Sequence, residues 1–93
     1  MRTIERTGQF KRDYKREAKG WHAKLLDQFL YDVLSSLATD QRLPAKNRDH
    51  ALSGDWADHR DCHLKPDLLL TYRLPDNDTL QLVRMGSHSE LGL

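Results

Sequence analysis

The feature that most constrains this chain is a change of hydrophobic period part-way along it. In the first part, apolar residues recur every three or four positions: Phe10, Tyr14, Ala18 and Trp21, then Leu26, Phe29, Leu30, Val33, Leu34 and Leu37. That spacing places one apolar stripe on each of two helices. Gly20 reads as the stop of the first, and the short connection favours an antiparallel helical hairpin. Arg2–Thr7 mixes β-branched and charged residues and reads as a short strand ahead of the helices. Past a polar stretch from Thr39 to Ser53, read as a surface loop, the helical period is gone. Trp56–Leu64, Asp67–Arg73 and Thr79–Met85 read as strands. Turn signals at Lys65–Pro66 and Asp76–Asn77–Asp78 divide them, and Gly86 ends the last one.

The order strand, helix, helix, three-strand meander predicts an α+β fold of two layers. An antiparallel sheet (β-α-α-β-β-β) carries the helical hairpin on one face. The other face is left for a ligand. A chain of 93 residues is expected to form a single domain over 1–93, with an open groove rather than a deep pocket. Such a groove suits a polymer. Charge gives no bulk argument for nucleic acid, because 15 Lys and Arg face 14 Asp and Glu. Any such case must rest on local charge. Cys62 is the only cysteine, so no internal disulfide and no Cys-based metal site is expected, in keeping with a reducing cytoplasm. Met1–Lys15 does not read as a signal peptide, and no apolar run approaches a membrane span. A cytoplasmic protein with no membrane partner is the expectation.

The chemistry lies in the second part. Alternation along a strand turns His59, Asp61 and His63 to one side and Arg60, Cys62 and Leu64 to the other. A strand face bearing His, Asp and His is not an ordinary core face. Asp67 follows His63 across a short turn, His88 follows the last strand, and His50 comes from the loop before the sheet. RNA can be cut by its own 2′-OH attacking the adjacent phosphate. That reaction needs a base, an acid and positive charge near the phosphate. Histidine titrates near neutral pH and serves as either acid or base. Aspartates orient it or favour its charged form. Arg84, Arg73 and Lys65 are candidates to hold phosphate. No cofactor and no metal is required.

The residues also carry a family resemblance. Asp49-His50-x-Leu-x-Gly-x-Trp56, then Arg60-Asp61-x-His63-Leu-x-Pro-Asp67, then Tyr72, then Arg84-x-Gly86-Ser87-His88 resembles YafQ-type toxins of the RelE superfamily. The resemblance covers nearly the whole chain and implies a RelE-like fold. It implies an endoribonuclease that cuts messenger RNA in the ribosomal A site and is silenced by a cognate antitoxin protein. The implied partners are thus an antitoxin, the 70S ribosome with its 16S ribosomal RNA, and mRNA. By motif it assigns catalysis to His50, His63, Asp67 and His88, with Asp61 in support. His50 is assigned as general base and His88 as general acid, and nothing in the sequence excludes the reverse. Such toxins often place an aromatic residue a few positions after the last histidine. Here the tail, Ser89-Glu90-Leu91-Gly92-Leu93, has none.

Plainer readings stand beside these. His59 and His22 read as surface histidines, Cys62 as a small core residue, and Trp56 as core or groove floor. The basic stripe on the first helix, with Lys11 and Lys15, is either a solvated face interleaved with Asp13 and Glu17 or a contact for RNA or antitoxin. A metal site built from His59, Asp61 and His63 and a RelE-like module that binds without cutting are the rival functions.

Overall fold

The computed structural model describes residues 1–20 and 23–93; the expectations placed on Trp21 and His22 lie outside the described residues. The described elements run β1 (Thr3–Arg6), α1 (Gly8–Gly20), α2 (Ala23–Ala38), β2 (His50–Ala51), β3 (Arg60–Lys65), β4 (Leu68–Arg73), β5 (Thr79–Gly86) and α3 (His88–Leu91). Short 3₁₀ turns at Ala45–Asn47 and Gly54–Trp56 flank β2.

The helices form where the apolar stripe predicts them. Thr7 starts α1: its hydroxyl accepts from the Phe10 amide at 3.0 Å and donates to the Val83 carbonyl at 2.8 Å. One side chain thus caps the helix and ties it to β5. Phe10 from α1 and Leu26, Leu30, Val33 and Leu37 from α2 pack on Cys62, Leu64, Leu68, Leu70, Tyr72, Leu80, Leu82 and Met85. The helical pair therefore covers one face of the sheet, as α+β segregation requires.

The sheet order is β1-β5-β4-β3-β2. The meander β3-β4-β5 is antiparallel, as the turn signals imply. The sheet as a whole is mixed rather than antiparallel, because β1 lies parallel to β5 with Thr3 opposite Thr79. The partner of β1 is more than seventy residues away, and no local signal sets the direction of such a pair. A further strand, β2, pairs His50 with Asp61 and Ala51 with Arg60. It lies inside the stretch read as loop, since two residues carry no period. The expected strand from Trp56 starts late, at Arg60, because Trp56 belongs to a 3₁₀ turn and Asp58 takes a left-handed backbone with φ 70°.

One irregularity sets the face of a charged residue. In Leu80-Gln81-Leu82-Val83-Arg84-Met85, strict alternation would send Arg84 into the core beneath the helices. Between Thr71 and Tyr72 the register shifts, so that Tyr72 faces Leu82 and Thr71 faces Arg84. The extra residue is a bulge that returns Met85 to the core and Arg84 to the open face.

Candidate active site

The open face carries two cross-strand rows. One runs His50, Asp61, Thr71, Arg84; the other runs His63, Leu69, Gly86. Paired residues share a face. β2 thus does for His50 what a loop would not: it fixes the imidazole directly opposite Asp61, with Nε2 3.9 Å from Oδ2. The Arg48 carbonyl lies 2.7 Å from His50 Nδ1. A carbonyl only accepts, so Nδ1 carries the proton and donates, leaving the Nε2 lone pair of the neutral ring free.

At the end of the same face, the two-residue turn Pro66–Asp67 joins β3 to β4. Asp67 Oδ1 accepts from His88 Nδ1 at 2.7 Å and from the His88 backbone N–H at 3.1 Å. The hydrogen bond from His88 holds the Asp67 carboxyl below its ordinary range. That leaves His88 Nε2 as the nitrogen able to exchange a proton with a ligand, by the same logic that a buried aspartate imposes on a catalytic histidine. The His88 ring stands edge-on to His63, with centroids 5.4 Å apart. Burial pushes the His63 pKa down, and the charges of His88, Arg48 and His50 push it further. His63 therefore stays neutral at physiological pH. Asp61 is 2% exposed, and burial raises its pKa to about 6 despite the opposing pull of His50 and His88. Its Oδ1 and the Thr71 hydroxyl beside it in the row are buried without hydrogen-bond partners. Such orphaned groups are rare in folded proteins outside functional sites.

His88 is positioned by a local motif. Ser87-His88-Ser89-Glu90 is a capping box: the Ser87 hydroxyl accepts from the Glu90 amide at 3.1 Å, and Glu90 Oε1 accepts from the Ser87 amide at 2.8 Å. The stretch read as a tail is therefore a helical turn, closed by Gly92 with φ 72° and anchored by the buried Leu91. Glu90 in turn meets Arg16 Nε at 3.1 Å, and Arg16 Nη2 donates to the Met85 carbonyl at 2.9 Å. Gly86 permits this approach, since a Cβ there would lie 2.9 Å from Arg16 Nη2.

The phosphate candidates fare unequally. Arg84 is held by Asp13 through Nε–Oδ2 at 2.8 Å and Nη2–Oδ1 at 3.2 Å. Arg73 sits opposite Gln81, four residues along β4 from Leu69 and so roughly 13 Å from the His63 row. Its Nε is buried without a partner. Lys65 places its ammonium 5.6 Å from the Phe29 ring centroid, on the helix side. Lys11 and Lys15 are exposed on α1, remote in sequence from the histidines. His59 precedes β3, so alternation does not reach it; its Nδ1 donates to the Ala57 carbonyl and its ring packs edge-on to the half-buried Trp56. Cys62 lies in the core, where burial pushes its thiol far up. Sequence reasoning missed Asp13, Arg16 and Arg48, which carry no motif of their own, and Glu90, whose signal is the capping box.

A model of the YafQ family, described as bacterial toxin of type II toxin–antitoxin system, matches residues 2–92. This chain belongs to the YafQ toxin family. The mRNA interferase toxin YafQ of Escherichia coli K12 is 36% identical over 91 residues, covering 98% of this chain and 96% of that protein. Among solved structures, a metal-bound toxin from Helicobacter pylori is 50% identical with a TM-score of 0.84, covering 98% of this chain and 99% of that one. The E. coli DinJ–YafQ complex is 34% identical, also with a TM-score of 0.84 and 98% of both chains covered. The metal is a property stated for the H. pylori protein. Among the described residues here, no group of three or more His, Cys, Asp or Glu is arranged to hold an ion. In this YafQ-family chain, the α+β fold agrees with those neighbours.

Proposed function

We propose that this chain is an endoribonuclease toxin, a single domain over its whole length, that cuts messenger RNA in the A site of the 70S ribosome and is silenced by a cognate antitoxin. The observation that carries the reading is the His63–His88 pair, 5.4 Å apart, with His88 oriented by Asp67. The name of the E. coli relative, an mRNA interferase, and the DinJ–YafQ complex support the substrate and the antitoxin. Ribosomes place the reaction in the cytoplasm. Among the described residues, no helix is long and apolar enough to cross a membrane.

The chain's own groups suffice for 2′-OH attack without a metal. His50 Nε2 takes the 2′ proton, O2′ bonds to phosphorus, and the bond to the 5′ oxygen breaks. His88, in its imidazolium form with Nδ1–H held by Asp67, gives that oxygen its Nε2 proton. The products are a 2′,3′-cyclic phosphate and a 5′-OH. Neutral His63 donates a hydrogen bond to a non-bridging oxygen as charge develops there. Asp61, opposite His50, favours the imidazolium as it forms. Arg84, fixed by Asp13, adds a stationary positive charge beside the open face. Lys11 and Lys15 are suited to ribosomal RNA or antitoxin contact.

Inducible expression of the wild type and His88→Ala in bacteria tests this. The wild type is expected to arrest growth and cut messages, and the variant to lose cleavage by about 10²–10⁴-fold. Intact messages alongside wild-type protein bound to ribosomes would overturn the reading in favour of a non-catalytic binding module. Chelator sensitivity belongs in a translation extract whose magnesium is set separately, where cleavage is expected to persist.

A further inference from the structure

One groove is not used by the chemistry above. It has a volume of about 700 Å³ and runs between α2, the segment from Leu43 to Arg48, and the end of β3. Val33, Leu43 and Leu64 give it apolar lining, and Lys46, Arg48 and Lys65 give it positive charge. Asp32 is the one acidic residue among the described residues that line it. His63 lines it too, so the groove opens into the histidine site. We propose that this groove binds the ribonucleotide next to the scissile phosphate, its base against the apolar lining and its phosphates on Lys46 and Arg48.

Size, charge and continuity each point to that occupant. The volume is in the range of small-ligand sites, enough for one nucleotide and too small for a folded partner. Three cations against one carboxylate complement a phosphodiester backbone. Lys46 and Arg48 are both exposed, so their charges are presented outward. Arg48 joins groove and site most directly. Arg48 and His63 line the same groove, and the positive charge of Arg48 is among the influences that lower the His63 pKa. The Arg48 backbone is left-handed, φ 47°, and is held by its N–H donating to the Ala45 carbonyl at 3.1 Å. A non-glycine residue in that region is uncommon. Here the turn aims the Arg48 carbonyl at His50 Nδ1 while the side chain lines the groove. Substrate phosphate and general base are thereby fixed by one residue. The sequence candidates for phosphate include Lys65 but neither Arg48 nor Lys46, which lie in the stretch read as a surface loop.

The inference rests on the RNA-cleaving reading, and binding separates the two. The probe is a ten-nucleotide single-stranded RNA with 2′-O-methyl riboses, which cannot be cut. Its affinity for the full chain is measured by fluorescence anisotropy against salt. Lys46→Ala and Arg48→Asn, the latter chosen because Asn tolerates a left-handed backbone, are each expected to flatten the slope of log K against log salt by about 0.7. Ser36→Trp narrows the groove without changing charge. It is expected to weaken binding about tenfold with the slope unchanged. Lys24→Glu, on α2 but not a lining residue, controls for net charge, and thermal melts confirm that each variant folds. Unchanged affinity and slope in the groove variants would overturn the proposal even if the wild type cuts messages. So would intact RNA binding combined with loss of co-purification with a co-expressed antitoxin, which would make the groove a protein-docking surface. Groove variants that behave as expected beside a wild type that fails to cut would instead overturn the cleaving function.

Discussion

Two clusters of charged and polar side chains flank β5 and β3, and they are built to opposite plans. Around Asp13 every acceptor is used. Oδ1 takes Arg16 Nη1 at 2.9 Å and Arg84 Nη2 at 3.2 Å, and Oδ2 takes Arg84 Nε at 2.8 Å and the Met85 amide at 3.0 Å. Burial pushes the Asp13 pKa up, yet the bonds from Arg84 and Met85 outweigh it and bring the carboxyl below its ordinary value. The reason for the cluster is topological. β1 pairs with only the first half of β5, from Thr79 to Leu82, and the side chains of Thr7, Asp13 and Arg16 take over backbone groups beyond it. Around Asp61 the plan is reversed: a buried carboxyl keeps one oxygen unpartnered, and the two histidines that act on it, His50 and His88, each bond through Nδ1 and turn no Nε2 into a closed network. A saturated charge cluster closes a sheet edge; an unsaturated one has capacity left for a substrate.

The strongest way to break this contrast is to delete one member of each. His88→Ala is expected to leave stability within about 0.5 kcal/mol, because the side chain is exposed, while cleavage falls by about 10²–10⁴-fold. Asp13→Ala is expected to cost about 3–5 kcal/mol, since it strands Arg84 and Arg16 beside a buried vacancy. Urea melts and a cleavage assay on both variants check this, and a stable Asp13→Ala would sink the structural role. Asp67→Asn is the next test. An amide no longer anchors the His88 Nδ1–H as a carboxylate does, and activity should drop by about 10²-fold with the melt unmoved.

The smallest effect concerns Asp61. Its folded pKa, about 6, lies above the ordinary 3.8, so the folded state holds the proton more tightly than the unfolded one. Stability from this group is therefore complete below about pH 4 and is lost as pH rises through 6. Asp61→Asn should raise stability at pH 8 by about 1–2 kcal/mol and flatten that decline while lowering activity. Chemical denaturation between pH 4 and 8 reads it, and an unchanged pH profile would mean that Asp61 carries no such strain.

Much of the fold is legible in the amino-acid sequence. The apolar stripes locate α1 and α2, and the turn residues locate the meander, because both signals are local. Strand alternation turns Asp61 and His63 away from Cys62 and Leu64, as the structure does. The parallel placement of β1 is not legible, because it depends on a partner at the other end of the chain. β2 is too short to show a period, and with it the pairing of His50 to Asp61 stays hidden. Charge alone makes Arg84 a phosphate candidate; that Asp13 claims it depends on the bulge and on the short reach of β1. The Ser87–Glu90 capping box is written in the sequence, but it follows so closely on a strand end that the segment reads as a tail.

The central claim, that the open-face histidines drive attack by the 2′-OH, has one direct measurement. Messages are offered to wild-type protein in a translation extract with a single 2′-deoxyribose on the 5′ side of a mapped cleavage point. Cutting is expected to stop at that bond and continue elsewhere, with cyclic phosphate ends on the remaining fragments. Cutting at the deoxy-substituted bond would contradict the claim.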